Sequence, residues 1–355
     1  MSALGRRNLL VLAAIALLTV VAGVLRYTDA PAVPAFIVAG LALAGLAWVV
    51  SYATEQVGER FGPGVTGFLQ STLGNLPEFF IVIFALSAGE LVVARNSIIG
   101  SLLANALLVL GLVLVVGAYT AEDRVMRFSV RLPNDTATLL ILANFIIVLT
   151  GLSLASEDRA SSHTKVISCV AAGAILFVYL GWVIRYLSSD ERPDDPERTP
   201  GRQPLPLPVS IGLLAVSGVG AAFVSDWFIH ALDPAVKALH ISKAFAGLVI
   251  VAIAGNAVEN VTGLVLARKG QSDLAISVVK NSVAQIAAFL FPALVLVSLL
   301  FATPLTFALG PIYIGALFLT ALAIWQITSD GEAHPFEGWA LVALYVIIAT
   351  FAIYE

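Results

Sequence analysis

Apolar runs of about 20 residues follow one another along almost the whole chain, and nothing else constrains the fold as strongly. A helix rises about 1.5 Å per residue, so such a run matches the roughly 30 Å hydrocarbon core of a bilayer. Inside that core the backbone has no water to bond to, and a helix satisfies its N–H and C=O groups within one segment. The chain is 59% hydrophobic and 12% charged, against about 25% charged residues in an ordinary soluble domain. An all-α, multi-pass membrane protein is therefore expected, with no stretch large enough for a separate soluble domain. The single cysteine, Cys169, lies in an apolar run, so neither a disulfide framework nor a thiolate metal cluster is expected.

Eleven spans are expected, near residues 9–27, 33–52, 63–88, 93–118, 137–155, 164–187, 207–228, 243–267, 273–301, 304–326 and 337–353. Arg6 and Arg7 precede the first run, but no clear cleavage site follows, which favours an uncleaved helix over a secretory signal. The longest polar connection, SSDERPDDPERTPGRQPLP from Ser188, has the composition of a solvated linker. It divides the chain into a first helix (residues 1–30), a five-helix unit (31–187), the acidic linker itself (188–206) and a second five-helix unit (207–355). With the N-terminus in the cytoplasm, twelve Arg and Lys residues fall inside and six outside. That distribution favours an inside N-terminus and an outside C-terminus, and makes the linker cytoplasmic.

Two short motifs stand out against this apolar background. GNLPEFF begins at Gly74 in the third span, and GNAVENV begins at Gly255 in the eighth, 181 positions later. Aligning 71–111 with 252–292 without gaps gives seven identities in 41 positions, among them Asn75 with Asn256, Glu78 with Glu259 and Ser101 with Ser282. Asn, Glu and Ser are scarce in these spans, so the polar identities carry the argument. In the expected topology the third span runs outward and the eighth inward, which makes spans 2–6 and 7–11 an inverted repeat.

An ionised carboxylate at bilayer depth costs about 3 kcal/mol on insertion scales. One such residue is readily a structural group; two in matching motifs of an inverted repeat point to a shared cation site near the midplane. Asn75 and Glu78 are three residues apart and share a helix face, as do Asn256 and Glu259. The glycine before each Asn allows local unwinding, and Pro77 removes a backbone donor in the first motif. The next span of each unit adds Ser101 with Asn105, and Ser282 with Gln285. The candidate ligands are thus Glu78, Glu259, Asn75, Asn256, Ser101, Ser282, Asn105 and Gln285, although any single Ser or Asn among them can instead serve helix–helix hydrogen bonding. Oxygen donors without Cys or His suit calcium, with manganese or sodium as alternatives, rather than zinc or copper. Desolvation and mutual repulsion favour the protonated form of two close carboxylates, so Glu78 and Glu259 are also the expected proton carriers. One pair of side chains serving two ions in alternation is the logic of an antiporter.

At these residues the chain resembles the cation/proton exchanger family of the wider calcium/cation antiporter superfamily. The resemblance rests on ATEQVGERFGPGVTGFLQSTLGNLPEFFIVIFALSAGELVVARNSIIGSLLANALLVLG in the first unit and FAGLVIVAIAGNAVENVTGLVLARKGQSDLAISVVKNSVAQIAAFLFPALVLVS in the second. It implies calcium held between spans 3, 4, 8 and 9 by Glu78 and Glu259, proton-driven exchange, and sliding of spans 2 and 7 as access alternates. The sequence departs from the family at Asn260, where a His is usual, and at Asn281 to Val283, where Gly-Ser-Ser is usual. Pro77 is similar to the related sodium/calcium exchangers, so sodium-coupled exchange is the alternative.

Lys280 lies inside the ninth span. It is expected to snorkel to the surface or pair with a carboxylate, with a built-in counter-ion as the other reading. Glu55 and Glu59 read as a cytoplasmic surface or entry funnel, and Glu90 as an outer mouth residue. His163, His230, His240 and His334 are placed in loops and lack metal-ligand spacing. No nucleotide-binding or zinc-hydrolase motif is found, so neither an ATP-driven pump nor an enzyme is expected, and no cofactor. The expected partners are transported cations and lipid of a cell membrane, not nucleic acid, with a homo-oligomer left open.

Overall fold

The computed structural model describes residues 5–28, 30–61, 73–188 and 205–355. Its helices are α1 (Gly5–Arg26), α2 (Ala32–Phe61), α3 (Leu76–Ser87), α4 (Leu91–Thr120), α5 (Arg131–Ser156) and α6 (Thr164–Ser188). After the linker come α7 (Leu207–Leu239), α8 (Lys243–Gly255), α9 (Ala257–Arg268), α10 (Ser272–Leu300), α11 (Pro311–Thr328) and α12 (Pro335–Ile353). Among the described residues nine helices are long and apolar enough to cross a membrane, and the pair α8–α9, bent by 60°, makes a tenth. A two-residue antiparallel ribbon joins β1 (Met126–Arg127) to β2 (Glu332–Ala333), tying the α4–α5 loop to the α11–α12 loop. There Arg127 donates to Asp123 at 2.7 Å and to Glu332 at 3.1 Å, and the first of these bonds holds the exposed Asp123 carboxyl below the usual range.

Several expected boundaries move. The third span is described only as the twelve-residue α3, because residues 62–72 of its expected range, including the first two positions of the 71–111 motif, lie outside the described residues, as does most of the acidic linker. The seventh span does not stop at residue 228; α7 continues to Leu239 with Pro234 inside it. The tenth span begins at Pro311 rather than at residue 304. Residues 301–310 are not helical although Leu305, Phe307 and Leu309 are buried. Their backbone is satisfied by side chains instead: Leu305 N donates to Ser298 Oγ at 2.8 Å and Phe307 N to Ser168 Oγ at 3.1 Å. Irregular backbone is tolerated at membrane depth where it is enclosed by protein in this way.

The backbone repeats itself at the spacing of the motifs. α3 and α9 have the same length and begin and end 181 positions apart. The residue before each helix has nearly the same angles, φ −91° and ψ 14° at Asn75, φ −98° and ψ 18° at Asn256. The turns that follow use Gly89 (φ +78°) and Gly270 (φ +75°), a left-handed conformation that glycine adopts without a Cβ penalty. Glu90 and Gln271 then enter the next helix with φ −85°, ψ 60° and φ −87°, ψ 65°. That next helix is loosened in both cases, by a π-helical stretch at Ala104–Val109 in α4 and at Ile286–Leu290 in α10.

Contacts between helices rely on small residues, as packing inside a bilayer requires. A Cβ at Gly100 of α4 would lie 2.2 Å from Leu248 O of α8, so the two backbones touch there. α2 packs along α7, where Phe36 stacks on Phe228 with ring centroids 4.5 Å apart. α7 also packs on α3, and α2 on α8 and α9, so the long helices flank the two broken segments.

Candidate functional site

Each broken segment frees the same groups. At Asn75 and Asn256 the chain leaves helical geometry for one residue, and neither Asn side chain caps the helix it precedes. Their backbone carbonyls start the helices instead, accepting from Phe79 N at 3.0 Å and Asn260 N at 3.1 Å. Pro77 sits in the first turn of α3, where its missing N–H costs nothing. Glu78 and Glu259 fall in the first turns of α3 and α9. The positive end of each helix dipole there offsets part of the cost of taking a carboxylate out of water.

The freed Asn side chains reach sideways across the two units. Asn75 Nδ2 donates to Gln285 Oε1 of α10 at 3.3 Å. Asn256 Nδ2 donates to Ser101 Oγ of α4 at 2.8 Å and to Ala252 O at 2.9 Å. Asn256 Oδ1 accepts from Asn105 Nδ2 at 2.8 Å, and Asn105 Nδ2 also donates to Ser101 O at 3.0 Å. These bonds gather the expected neutral residues into two sets, Asn75 with Gln285 and Asn256 with Ser101 and Asn105, with Ser282 in neither.

One carboxylate reaches from the first unit into the second. Glu78 is 5% exposed, and its side chain lies against Gly255 of the other unit: a Cβ there would stand 3.0 Å from Glu78 Cγ, Cδ and Oε1. Glu259, four residues after Gly255, is half-buried where Glu78 is buried. Several oxygens have no partner: Glu78 Oε2, Asn105 Oδ1 and Ser282 Oγ, together with Asn260 Oδ1 and Asn281 Oδ1. An unsatisfied buried acceptor costs about 1–3 kcal/mol. Open acceptors such as Glu78 Oε2 and Asn105 Oδ1 are what a hard cation, shedding its water, can use. Among the described residues no three of His, Cys, Asp and Glu come together, so the arrangement is dicarboxylate plus neutral oxygen.

Some features were not expected. Asn260 and Asn281 stand out in the sequence only as departures from a family pattern, and their unpartnered oxygens emerge from packing. The space at Gly255 that admits Glu78 is likewise invisible without the fold. On α2, Thr54 and Gln56 are buried and Glu55 is on the exposed side, while the Glu59 side chain lies outside the described residues.

Lys280 contradicts the expectation of snorkelling or carboxylate pairing. It is 2% exposed, and its Nζ donates to Thr328 Oγ1 of α11 at 2.7 Å. The side chain is thus held inside the bundle, with the last residue of α11 as its partner. Glu90 is half-buried and receives Lys243 Nζ at 2.7 and 2.8 Å, while Lys243 also pairs with Asp233 of α7 at 2.7 Å. His230 lies within α7 rather than in a loop.

A sequence model described as sodium/calcium exchanger protein matches residues 31–186 and 209–354. The vacuolar calcium ion transporter of Schizosaccharomyces pombe is 34% identical over 323 residues, which are 88% of this chain and 77% of that protein. A Ca(2+)/H(+) antiporter of Synechocystis sp. is 30% identical over 333 residues, 88% of this chain and 89% of the relative. Among solved structures, that of native YfkE matches with a TM-score of 0.81 at 26% identity, covering 98% of this chain and 99% of the other.

Proposed function

The chain belongs to the sodium/calcium exchanger protein family, and on that premise we propose that it is a secondary active antiporter exchanging Ca2+ for H+. The observation that carries the reading is that Glu78 lies against Gly255, four residues before Glu259, with Glu78 Oε2 and Asn105 Oδ1 left without partners. Ca2+ would neutralise both carboxylates at once and draw on the oxygens of Asn75, Asn105, Asn256, Ser101, Ser282 and Gln285. When the cation leaves, protons replace it, because two charged carboxylates in a low-dielectric site repel each other. The same atoms cannot hold both cargoes, so the movement of one against the other is obligatory.

The proposed architecture is a first helix followed by two inverted five-helix repeats, eleven spans in all, in a cell membrane with the N-terminus cytoplasmic and the C-terminus outside. The matching backbone angles 181 residues apart support the repeat. The second motif-bearing segment comes five spans after the first in this count, and an odd number of crossings reverses its direction through the bilayer. Alternating access about a midplane site then follows from rocking one unit against the other.

Calcium uptake into proteoliposomes under an imposed pH gradient, and separately under an imposed sodium gradient, tests the proposal. Uptake driven by the pH gradient is expected. Uptake driven only by sodium overturns the proton coupling, and uptake limited by membrane potential alone indicates a channel.

A further inference from the structure

One face of α4 and the same face of α10 differ in what covers them. Ser97, Gly100 and Ala104 correspond to Val278, Asn281 and Gln285, 181 positions on. Steps of three and four residues keep each trio on one helix face. In α4 all three are buried, with Ser97 4% and Ala104 0% exposed. α8 lies directly on them: a Cβ at Gly247 would stand 3.3 Å from Ser97 N, and one at Gly100 2.2 Å from Leu248 O. In α10 all three are half-buried. In the proposed topology the trio of α4 lies on the outer side of the site and that of α10 on the cytoplasmic side.

The half-open face of α10 is polar and leads to the site. Gln285 accepts from Asn75, three residues before Glu78. Asn281 stands one turn nearer the cytoplasmic end, about 6 Å down the helix, and Ser277 one turn further. A lipid-facing stripe would be apolar, whereas polar side chains in a span mark a route or a cavity. Asn281 Nδ2 reaches Ser277 Oγ only at 3.4 Å, and its Oδ1 has no partner. A bond that long holds weakly, so the amide is free to turn its oxygen into the face. At the equivalent place in the first unit Gly100 has no side chain to offer, and the two backbones close on each other.

We propose that Asn281 is a specificity-determining residue for the transported cation: it stands on the cytoplasmic approach to Glu78 and lends its amide oxygen to a divalent ion that gives up part of its water. This rests on the antiporter reading above and adds to it a selecting step ahead of the carboxylates. Ca2+ takes about six to eight oxygens in a flexible shell, whereas Mg2+ requires a near-octahedral one and dehydrates reluctantly. A neutral amide that fills part of the approach therefore passes the ion that trades water for a carbonyl oxygen. It holds back the ion that keeps its water. The first unit, with glycine at this position, has no such filter on its own face.

The test measures pH-driven Ca2+ uptake into everted vesicles, with Mg2+ added as competitor on the cytoplasmic face. Asn281→Gly, which copies the first unit, should let Mg2+ compete about tenfold better relative to the KM for Ca2+. Asn281→Gln, which keeps an amide, should hold the parent ratio. A merely structural role would lower the uptake rate and leave that ratio where it was, and this result overturns the inference. A second arm needs no transport and leaves Asn281 in place: Val278→Cys and Ser97→Cys are introduced singly in a Cys169→Ala background. A membrane-impermeant thiol reagent should label Val278→Cys from the cytoplasmic face, more slowly with Ca2+ than with Mg2+ present, and should leave Ser97→Cys unlabelled. Labelling of Val278→Cys from the outer face alone, or from neither face, overturns the placing of Asn281 on an approach. A parent without pH-driven uptake overturns the antiporter reading instead, and the labelling arm then decides by itself whether Asn281 faces a cation route.

Discussion

α3 and α9 are built alike and used differently. Both have twelve residues, both follow a non-helical Asn, and both carry their acid in the first turn. Glu78, however, is buried with its side chain against Gly255, whereas Glu259 is half-buried. A common backbone sets where a carboxylate stands; the neighbours set how much of it the surroundings reach. The comparison teaches that the repeat is close in its turns and loose in its environment.

The comparison breaks most visibly at the carboxylates themselves. We predict that Glu78→Gln and Glu259→Gln each abolish exchange in proteoliposomes while the protein still inserts. Each substitution removes one of the two negative charges that a divalent cation would neutralise, while keeping the size of the side chain. Full exchange by either variant would falsify the shared site. Next is Gly255→Ala, which adds a Cβ 3.0 Å from three atoms of Glu78. Overpacking of this kind costs about 1–3 kcal/mol, so calcium affinity should fall roughly tenfold, with thermal stability less affected. Unchanged affinity would mean that Glu78 does not need its present place.

The neutral residues sharpen the contrast. Asn256 takes part in three hydrogen bonds and Asn75 in one. At about 0.6 kcal/mol for an interhelical bond in a membrane protein, Asn256→Ala should lose about 2 kcal/mol and Asn75→Ala about a third of that. Unfolding in detergent reads the difference, and equal losses would remove the asymmetry. The position equivalent to Lys280 in the first unit is Ile99, which is 0% exposed. Lys280→Ile copies the first unit into the second, and stability should hold or rise, since replacing a buried charge by packed apolar volume is often neutral or stabilising. A loss of several kcal/mol in thermal unfolding would show that the bond to Thr328 matters more than its burial costs. The smallest effect is expected at the ion cluster of Glu90, Lys243 and Asp233, which has no equivalent because Gln271 replaces Glu90. Lys243→Gln should cost about 1 kcal/mol or less, and should reduce the dependence of stability on salt.

Much of this was readable in the chain. The Asn–Glu spacing, the serines of the next helix and the glycine turns are chemically rare in apolar segments, so their recurrence was informative. The carboxylates were legible for the same reason: nothing else in a span costs as much to bury. The errors had a common origin. Residues 304–310 are apolar enough to read as the start of a span, yet their donors find Ser298 and Ser168. α7 was cut short because its charged residues read as a loop, while the folded chain pairs Asp233 with Lys237 and Lys243. Lys280 was expected to reach the surface, whereas the folded chain buries it with its Nζ on Thr328.

By itself, then, the sequence determined that the chain must be helical within a membrane, where the segments break, and which acids and amides stand at the breaks. Those outcomes depend on local chemistry: backbone groups without water, glycine's tolerance of positive φ, and the rarity of charge in lipid. The tertiary structure alone decided which oxygens are left without partners, that Glu78 occupies the space opened by Gly255, and that Asn256 is bonded where Asn75 is not. These depend on contacts between residues far apart in the chain, and a hydrogen bond a few ångströms long is set by helix positions that no local spacing encodes.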